Sequence, residues 1–161
     1  MFRSIRLRHL QVAAVLVLVG VCARASAEEE HHTPRVPLLP KYQQECASCH
    51  LAYPPGMLPA GSWQRLLGSL QHHYGTDASL DAATLKQLST WLNANAGTGR
   101  RSGSAPPEDR ITRSAWFVHE HGEVSAATWK RPDVKSAANC TACHTQADKG
   151  DFNEHSIRIP R

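Results

Sequence analysis

The sequence predicts a mainly α-helical protein with two small halves, and three observations support this fold class. Apolar residues recur at helical spacing in the first half, and no segment shows the alternation typical of a strand. A stretch rich in Gly, Ser, Pro and charge, GTGRRSGSAPPEDR at residues 97–110, separates the halves. We therefore expect a first domain at residues 34–96, a linker at 97–110 and a second domain at 111–161.

Each half contains segments with the pattern of a helix. The first helix is predicted from Gly61 to Gly75 and the second from about Leu80 to Asn93, with Gly97 as a stop signal. In the second half, a helix-like segment at residues 111–121 precedes a short tail. The apolar stripe of the first helix comprises Trp63, Leu66, Leu67, Leu70 and Tyr74, and that of the second comprises Leu85, Leu88, Trp91 and Leu92.

Residues 1–27 have the features of a secretory signal peptide. A basic start with Arg3, Arg6 and Arg8 precedes the 12-residue apolar run Val12–Ala23 and the small residues Ala25-Ser26-Ala27. A transmembrane helix needs roughly 20 apolar residues, so we expect cleavage after about Ala27 rather than a membrane anchor. A lipoprotein signal at Cys22 is disfavoured, because the preceding residue is the branched Val21.

The charge of the chain is concentrated in this predicted signal. Residues 1–27 hold four of the 18 basic residues and none of the 14 acidic ones, so the remaining 134 residues have no formal net charge. Neither a nucleic acid nor an acidic membrane surface is therefore indicated as a partner. The same cut removes Cys22 and leaves four cysteines.

Those four cysteines form two copies of one motif. Cys46-Ala47-Ser48-Cys49-His50 and Cys140-Thr141-Ala142-Cys143-His144 are both C-x-x-C-H, the pattern that attaches haem c. Two thiols one helical turn apart can add to the two vinyl groups of one porphyrin, and the adjacent histidine can then bind the iron. A four-cysteine zinc site or two short disulfides would not explain why a histidine follows both pairs. The sequence thus predicts two covalently attached haem c groups, with His50 and His144 as iron ligands.

The second axial ligand decides what a haem protein does, and methionine is nearly absent from this chain. Met1 is lost with the signal, so two His/Met centres are excluded. Met57 follows His50 by seven residues in a proline-rich turn, and we expect it to pack rather than to bind iron. His31 and His32 lie in an extended, proline-rich N-terminal segment and are expected to be solvated.

The remaining histidines supply the candidates. On a continuous helix from Gly61 to Gly75, His73 flanks the apolar stripe and His72 points away, which favours His73 as a ligand. The same projection does not separate His119 from His121. His155 follows His144 closely and has little room to reach the opposite face of a haem.

From about Val36 to its C-terminus, the chain resembles the small dihaem cytochromes c of bacterial electron transport. The resemblance rests on YQQECASCHLAYPPGMLPAGSW, LQHHYGTDASLD, ITRSAWFVHEHGEV, and VKSAANCTACHTQADKGDF with its closing IRIP. It implies a class-I-cytochrome-c-like helical N-terminal haem domain, a smaller helical C-terminal haem domain, and two histidines on each iron. The family's H-F-G-x-D-A-S-L-D aligns with His73, and its W-F-x-x-x-H favours His121 over His119.

This resemblance implies a periplasmic electron carrier rather than an enzyme. Two bis-histidine irons have no vacant coordination position for a substrate, and no constellation of hydrolytic residues is evident. The implied partners are a membrane cytochrome b as electron donor and a small high-spin, oxygen-binding monohaem cytochrome as acceptor. The enzyme alternative is a dihaem peroxidase or oxygen-reducing enzyme with one open haem site.

Overall fold

The regular secondary structure of residues 36–160 is helical. The structure, a computed structural model, describes residues 36–160, so the predicted signal peptide of residues 1–27 lies outside the described part. Within this range there are isolated β-bridges but no strand, which confirms the predicted mainly α fold class. The α-helices are Pro40–Cys46 (α1), Ala60–Leu67 (α2), Ala82–Asn95 (α3), Gly99–Ser102 (α4), Ala115–Glu120 (α5) and Ala126–Trp129 (α6).

The longest of these helices, α3, begins where its sequence supplies a cap. The Asp81 carboxylate accepts hydrogen bonds from the backbone N–H groups of Ala83 and Thr84, both at 3.0 Å, and so satisfies two donors of the first turn. Leu88 and Leu92 face inward and are fully buried. The helix predicted from about Leu80 to Asn93 is thus confirmed, with its bounds shifted by two residues.

The helix predicted from Gly61 to Gly75 is wrong in its second half. Helix α2 ends at Leu67 with Gly68 as C-cap, and a 3₁₀ turn at Leu70–His72 follows. The Ser69 hydroxyl donates to the Arg65 carbonyl at 2.9 Å, which closes the helix end, and the chain then turns at Tyr74 with φ of +50°. The expectation that His73 flanks the apolar stripe and His72 points away was based on a continuous helix to Gly75, and the chain does not form that helix beyond Leu67.

Helices α1, α2 and α3 enclose the main apolar core. Two side chains of this core also donate hydrogen bonds to backbone carbonyls. The Trp63 indole N–H donates to the Pro55 carbonyl at 2.7 Å, and the Tyr42 hydroxyl donates to the Tyr53 carbonyl at 2.9 Å. These bonds fix the loop that follows the first C-x-x-C-H motif onto the core. The buried members of the core are Tyr42, Ala52, Leu58, Trp63, Leu88 and Leu92.

Residues 97–110 fold back onto the segments on both sides of them. Gly97, the first residue of this stretch, lies so close to the Gly56 carbonyl and the Ser102 side chain that a Cβ at this position would overlap them. Further along, Arg65 binds Asp109 with two hydrogen bonds, of 2.6 and 2.9 Å, and Arg101 pairs with Glu120 at 3.2 Å. No helix among residues 36–160 has the length and hydrophobicity needed to cross a membrane.

The Arg65–Asp109 pair makes stability sensitive to acid. The hydrogen bonds from Arg65 hold the pKa of Asp109 below its ordinary value of 3.8, so the stabilisation is complete above that value and is lost as the pH falls through the folded-state pKa. We expect Asp109→Asn to lower the denaturant midpoint of the holoprotein modestly at pH 7. At pH 3 the difference from the unmodified protein should shrink. The exposed Asp133→Asn serves as control, and an equal loss at both pH values would contradict the assignment.

Candidate functional site

Both C-x-x-C-H motifs lie in tight helical turns. Cys46 is the last residue of α1, and the chain turns through the rest of the first motif to His50. The second motif begins in a 3₁₀ turn at Cys140–Ala142, where the His144 backbone N–H donates to the Cys140 carbonyl at 2.8 Å. The four cysteines of the two motifs form no disulfide in the described structure.

The environment of these thiols does not favour a thiolate. Burial, assisted by Glu45, raises the pKa of Cys46 to about 11. Burial likewise raises the pKa of Cys140 and of Cys143. A low thiol pKa is typical of nucleophilic cysteines, and three of the four thiols lack that signature.

The fold brings His73 to the histidine of the first motif. The rings of His50 and His73 have centroids 6.1 Å apart and planes inclined by 24°. The 3₁₀ turn after α2 and the positive φ of Tyr74 deliver His73 to this position, where its side chain is partly buried.

The second motif has the same arrangement with a different tilt. The rings of His121 and His144 have centroids 6.0 Å apart, and their planes are inclined by 69°. His121 is the C-cap of α5, and its ring stacks on Phe117 with centroids 4.0 Å apart. The Ser114 hydroxyl accepts a hydrogen bond of 3.3 Å from the Phe117 N–H and so caps the start of α5. His121 is therefore held at the end of a capped helical turn.

These separations suit two imidazoles that share one metal ion. Metal–nitrogen bonds of about 2 Å on opposite sides of an ion would place the ring centroids roughly 6 Å apart. Burial, together with the neighbouring His50, lowers the pKa of His73. Burial and then His121 lower that of His144, while Asp151 opposes this shift. Both shifts favour the neutral imidazole, which is the form that binds metal.

In each pair, one ring is oriented by a backbone carbonyl and the other is not. His50 Nδ1 lies 2.7 Å from the Leu51 carbonyl and His121 Nδ1 lies 2.9 Å from the Phe117 carbonyl, so an Nδ1–H can donate there and leave Nε2 for a metal. The buried Nδ1 atoms of His73 and His144 have no hydrogen-bond partner among residues 36–160. The donor set therefore fits an iron held by porphyrin and two axial imidazoles.

The structure does not place the other histidines in such pairs. Across the described range, ring contacts join His50 to His73 and His121 to His144, whereas His72, His119 and His155 are exposed and make none. Met57 lies in the 3₁₀ turn Pro55–Met57 and is partly buried.

Aromatic residues around the histidines were missed by the sequence reasoning. Tyr53 stacks on His50, with centroids 5.0 Å apart and planes inclined by 20°. Phe152 packs against His144 at 5.3 Å, and Trp129 lies 6.0 Å from His121. Apolar rings beside metal-binding imidazoles limit their rotation and exclude water. The only sequence signal was the proximity of these aromatic residues to the motifs.

Two C-x-x-C-H turns, each with a histidine facing the motif histidine, on a small helical fold define a c-type cytochrome with two haem sites. The family model described as dihaem cytochrome c matches residues 42–152, and the chain belongs to this family. It therefore carries two covalently bound haem c groups. A comparison with curated protein sequences found no match.

Solved structures of two dihaem cytochromes are similar to this chain. The diheme cytochrome c from Shewanella baltica OS155 is 33% identical, covers 78% of this chain and 95% of its own, and superimposes with a TM-score of 0.68. DHC purified from Rhodobacter sphaeroides is 42% identical, covers 73% of this chain and 99% of its own, and has a TM-score of 0.64. These comparisons identify the class of cofactor and the role in electron transfer.

Proposed function

We propose that the mature chain is a periplasmic electron carrier in which both irons have two histidine ligands. Cys46 and Cys49 attach the first haem, with His50 and His73 as its axial ligands. Cys140 and Cys143 attach the second haem, with His144 and His121 as its ligands. The observation that carries this proposal is the ring separation of 6.1 Å in the first pair and 6.0 Å in the second.

The residues around the two sites suit electron transfer rather than catalysis. When bound, haem supplies an iron that alternates between Fe(III) and Fe(II). The paired histidines would occupy both axial positions and leave none for a substrate or for oxygen. The Leu51 and Phe117 carbonyls orient one imidazole of each pair, and the rings of Tyr53 and Phe117 stack on the same imidazoles. Both ligands can stay in place in both oxidation states, which keeps the geometric change small.

The proposed organisation and partners follow the family. Residues 1–27 would direct export and be removed after about Ala27. Residues 34–96 and 111–161 would form the two haem domains, joined by residues 97–110. A membrane cytochrome b would supply electrons, and a small high-spin, oxygen-binding monohaem cytochrome would accept them.

A spectroscopic study of the purified holoprotein tests the proposal. We expect two haems per chain, two low-spin ferric EPR signals, no methionine–sulfur absorption band, and no carbon monoxide binding after reduction. The two signals should differ, because ring planes inclined by 24° and 69° split the iron d orbitals unequally. A high-spin haem that binds carbon monoxide would refute the closed carrier and favour peroxide or oxygen chemistry.

A further inference from the structure

Tyr53 contacts both haem-attachment motifs, although they lie far apart in the sequence. Its ring stacks on His50 of the first motif, with centroids 5.0 Å apart. Its hydroxyl donates a hydrogen bond to the Ala138 carbonyl at 3.0 Å, across 85 residues of chain. Ala138 is two residues before Cys140, the first cysteine of the second motif. One side chain therefore connects the ligand of one site to the attachment segment of the other.

The Ala138 carbonyl extends this connection to the second motif itself. The Cys140 sulfur lies 3.7 Å from the same carbonyl oxygen, so this oxygen has contacts with both Tyr53 and Cys140. In the family, that sulfur is the atom that bonds to the second porphyrin. A cleft of about 280 Å³ also brings the two motifs together, with Ala47 and His50 on one side and Thr141 on the other.

Tyr53 is held by its backbone and at both ends of its side chain. Its own carbonyl accepts a hydrogen bond of 2.9 Å from the hydroxyl of Tyr42, which is buried in the core. Its ring lies against His50 and its hydroxyl bonds to the Ala138 carbonyl, so both ends of the side chain are fixed.

We propose that Tyr53 is a positioning residue that couples the two haems electronically. The path crosses from the imidazole of His50 to the stacked Tyr53 ring, follows the hydroxyl hydrogen bond to the Ala138 carbonyl, and continues through the peptide chain to Cys140. Electron tunnelling decays less steeply through bonded and hydrogen-bonded atoms than through gaps, so the Tyr53 hydrogen bond favours exchange between the haems. One electron leaves Fe(II) of one haem, which becomes Fe(III), and reduces Fe(III) of the other. Tyr53 keeps its proton and its oxidation state throughout.

The test compares two hydroxyl groups that each donate a hydrogen bond to a backbone carbonyl. Thr90 donates to the Lys86 carbonyl at 2.9 Å within α3 and outside both motifs, so Thr90→Val is the control for Tyr53→Phe. Intramolecular electron exchange is measured in half-reduced holoprotein from exchange between the haem-methyl NMR signals, extrapolated to low protein concentration. We expect Tyr53→Phe to slow this exchange several-fold and Thr90→Val to leave it unchanged.

A second variant and two further readouts separate coupling from general loosening. Tyr53→Leu removes the ring as well, so we expect it to slow exchange and also to change the EPR signal of the first haem, whereas Tyr53→Phe keeps that signal. Unchanged exchange in Tyr53→Phe, or equal slowing in Thr90→Val, would overturn the proposal. Failure of Tyr53→Phe to retain two haems would overturn it too, since the hydroxyl would then serve assembly.

The inference rests on the proposed function, and the two can fail separately. The ligands of the iron atoms are established by the EPR spectrum of the unmodified protein. The role of Tyr53 is established by the ratio of exchange rates between variant and unmodified protein. If the EPR spectrum showed an axial ligand other than histidine, it would refute bis-histidine ligation. The role of Tyr53 would still be decided by the exchange rates.

Discussion

Replacing His73 or His121 by alanine is expected to convert one of the two haems from low spin to high spin. Each substitution removes one axial imidazole and leaves an iron with five ligands, whose weaker ligand field favours the high-spin state. The measurement is the EPR and visible spectrum of each holoprotein, with a haem count and a carbon monoxide titration after reduction. We expect one high-spin, carbon-monoxide-binding haem and one unchanged low-spin haem in each variant.

The neighbouring histidines provide matched controls. His72 and His119 are exposed and lie one and two residues from the proposed ligands, so His72→Ala and His119→Ala should leave both haems low spin. The Phe117 carbonyl lies 2.9 Å from His121 Nδ1, a contact that orients His121 toward His144. A high-spin haem in His119→Ala, with His121→Ala unaffected, would reverse the assignment at the second site.

The sequence was sufficient to predict the motifs, the fold class and one helix, because these depend on local patterns. C-x-x-C-H is defined by spacing alone, and it predicted the haem groups that the family carries. Helix α3 has both a side-chain cap at Asp81 and an apolar stripe with Leu88 and Leu92, so local and tertiary preferences agree over its length.

The segment before His73 could not be predicted in the same way. Helical spacing continues through Leu70 and Tyr74, but Gly68 and Ser69 end the helix, and the Ala78 N–H donates to the Leu70 carbonyl at 2.9 Å. That bond closes a turn whose stability depends on tertiary contacts rather than on periodicity. The structure pairs His73 with His50 through this turn, not through a continuous helical face.

Residues 97–110 make contacts that their composition does not reveal. The composition predicts a linker between the two domains, but it carries no information on partners that lie far away in the sequence. Asp109 meets Arg65 across 44 residues, and the Glu108 carbonyl accepts a hydrogen bond from Tyr74. Arg110 also lies over the Tyr74 ring at 4.1 Å, so this segment braces the turn that carries His73.

The two halves of the described chain differ in how much core they possess without haem. The first half contains the six-residue buried cluster around Leu88 and Leu92. Within residues 111–160 the buried apolar residues are Phe117, Val134 and Ala147, of which the last two lie in residues 123–160. A segment with so few buried apolar groups cannot offset the conformational entropy of folding by itself.

The double variant Cys140→Ala/Cys143→Ala is therefore expected to unfold residues 123–160. Without covalent attachment the second haem is lost, and with it the apolar surface against which this segment packs. Hydrogen exchange measured by mass spectrometry should show complete loss of protection in this segment, whereas α2 and α3 stay protected and the first haem stays low spin. In the reciprocal variant Cys46→Ala/Cys49→Ala, we expect only partial loss of protection in α2 and α3, because their buried cluster remains. Equal loss in the two halves would show that haem, rather than the cluster around Leu88, holds the first half together.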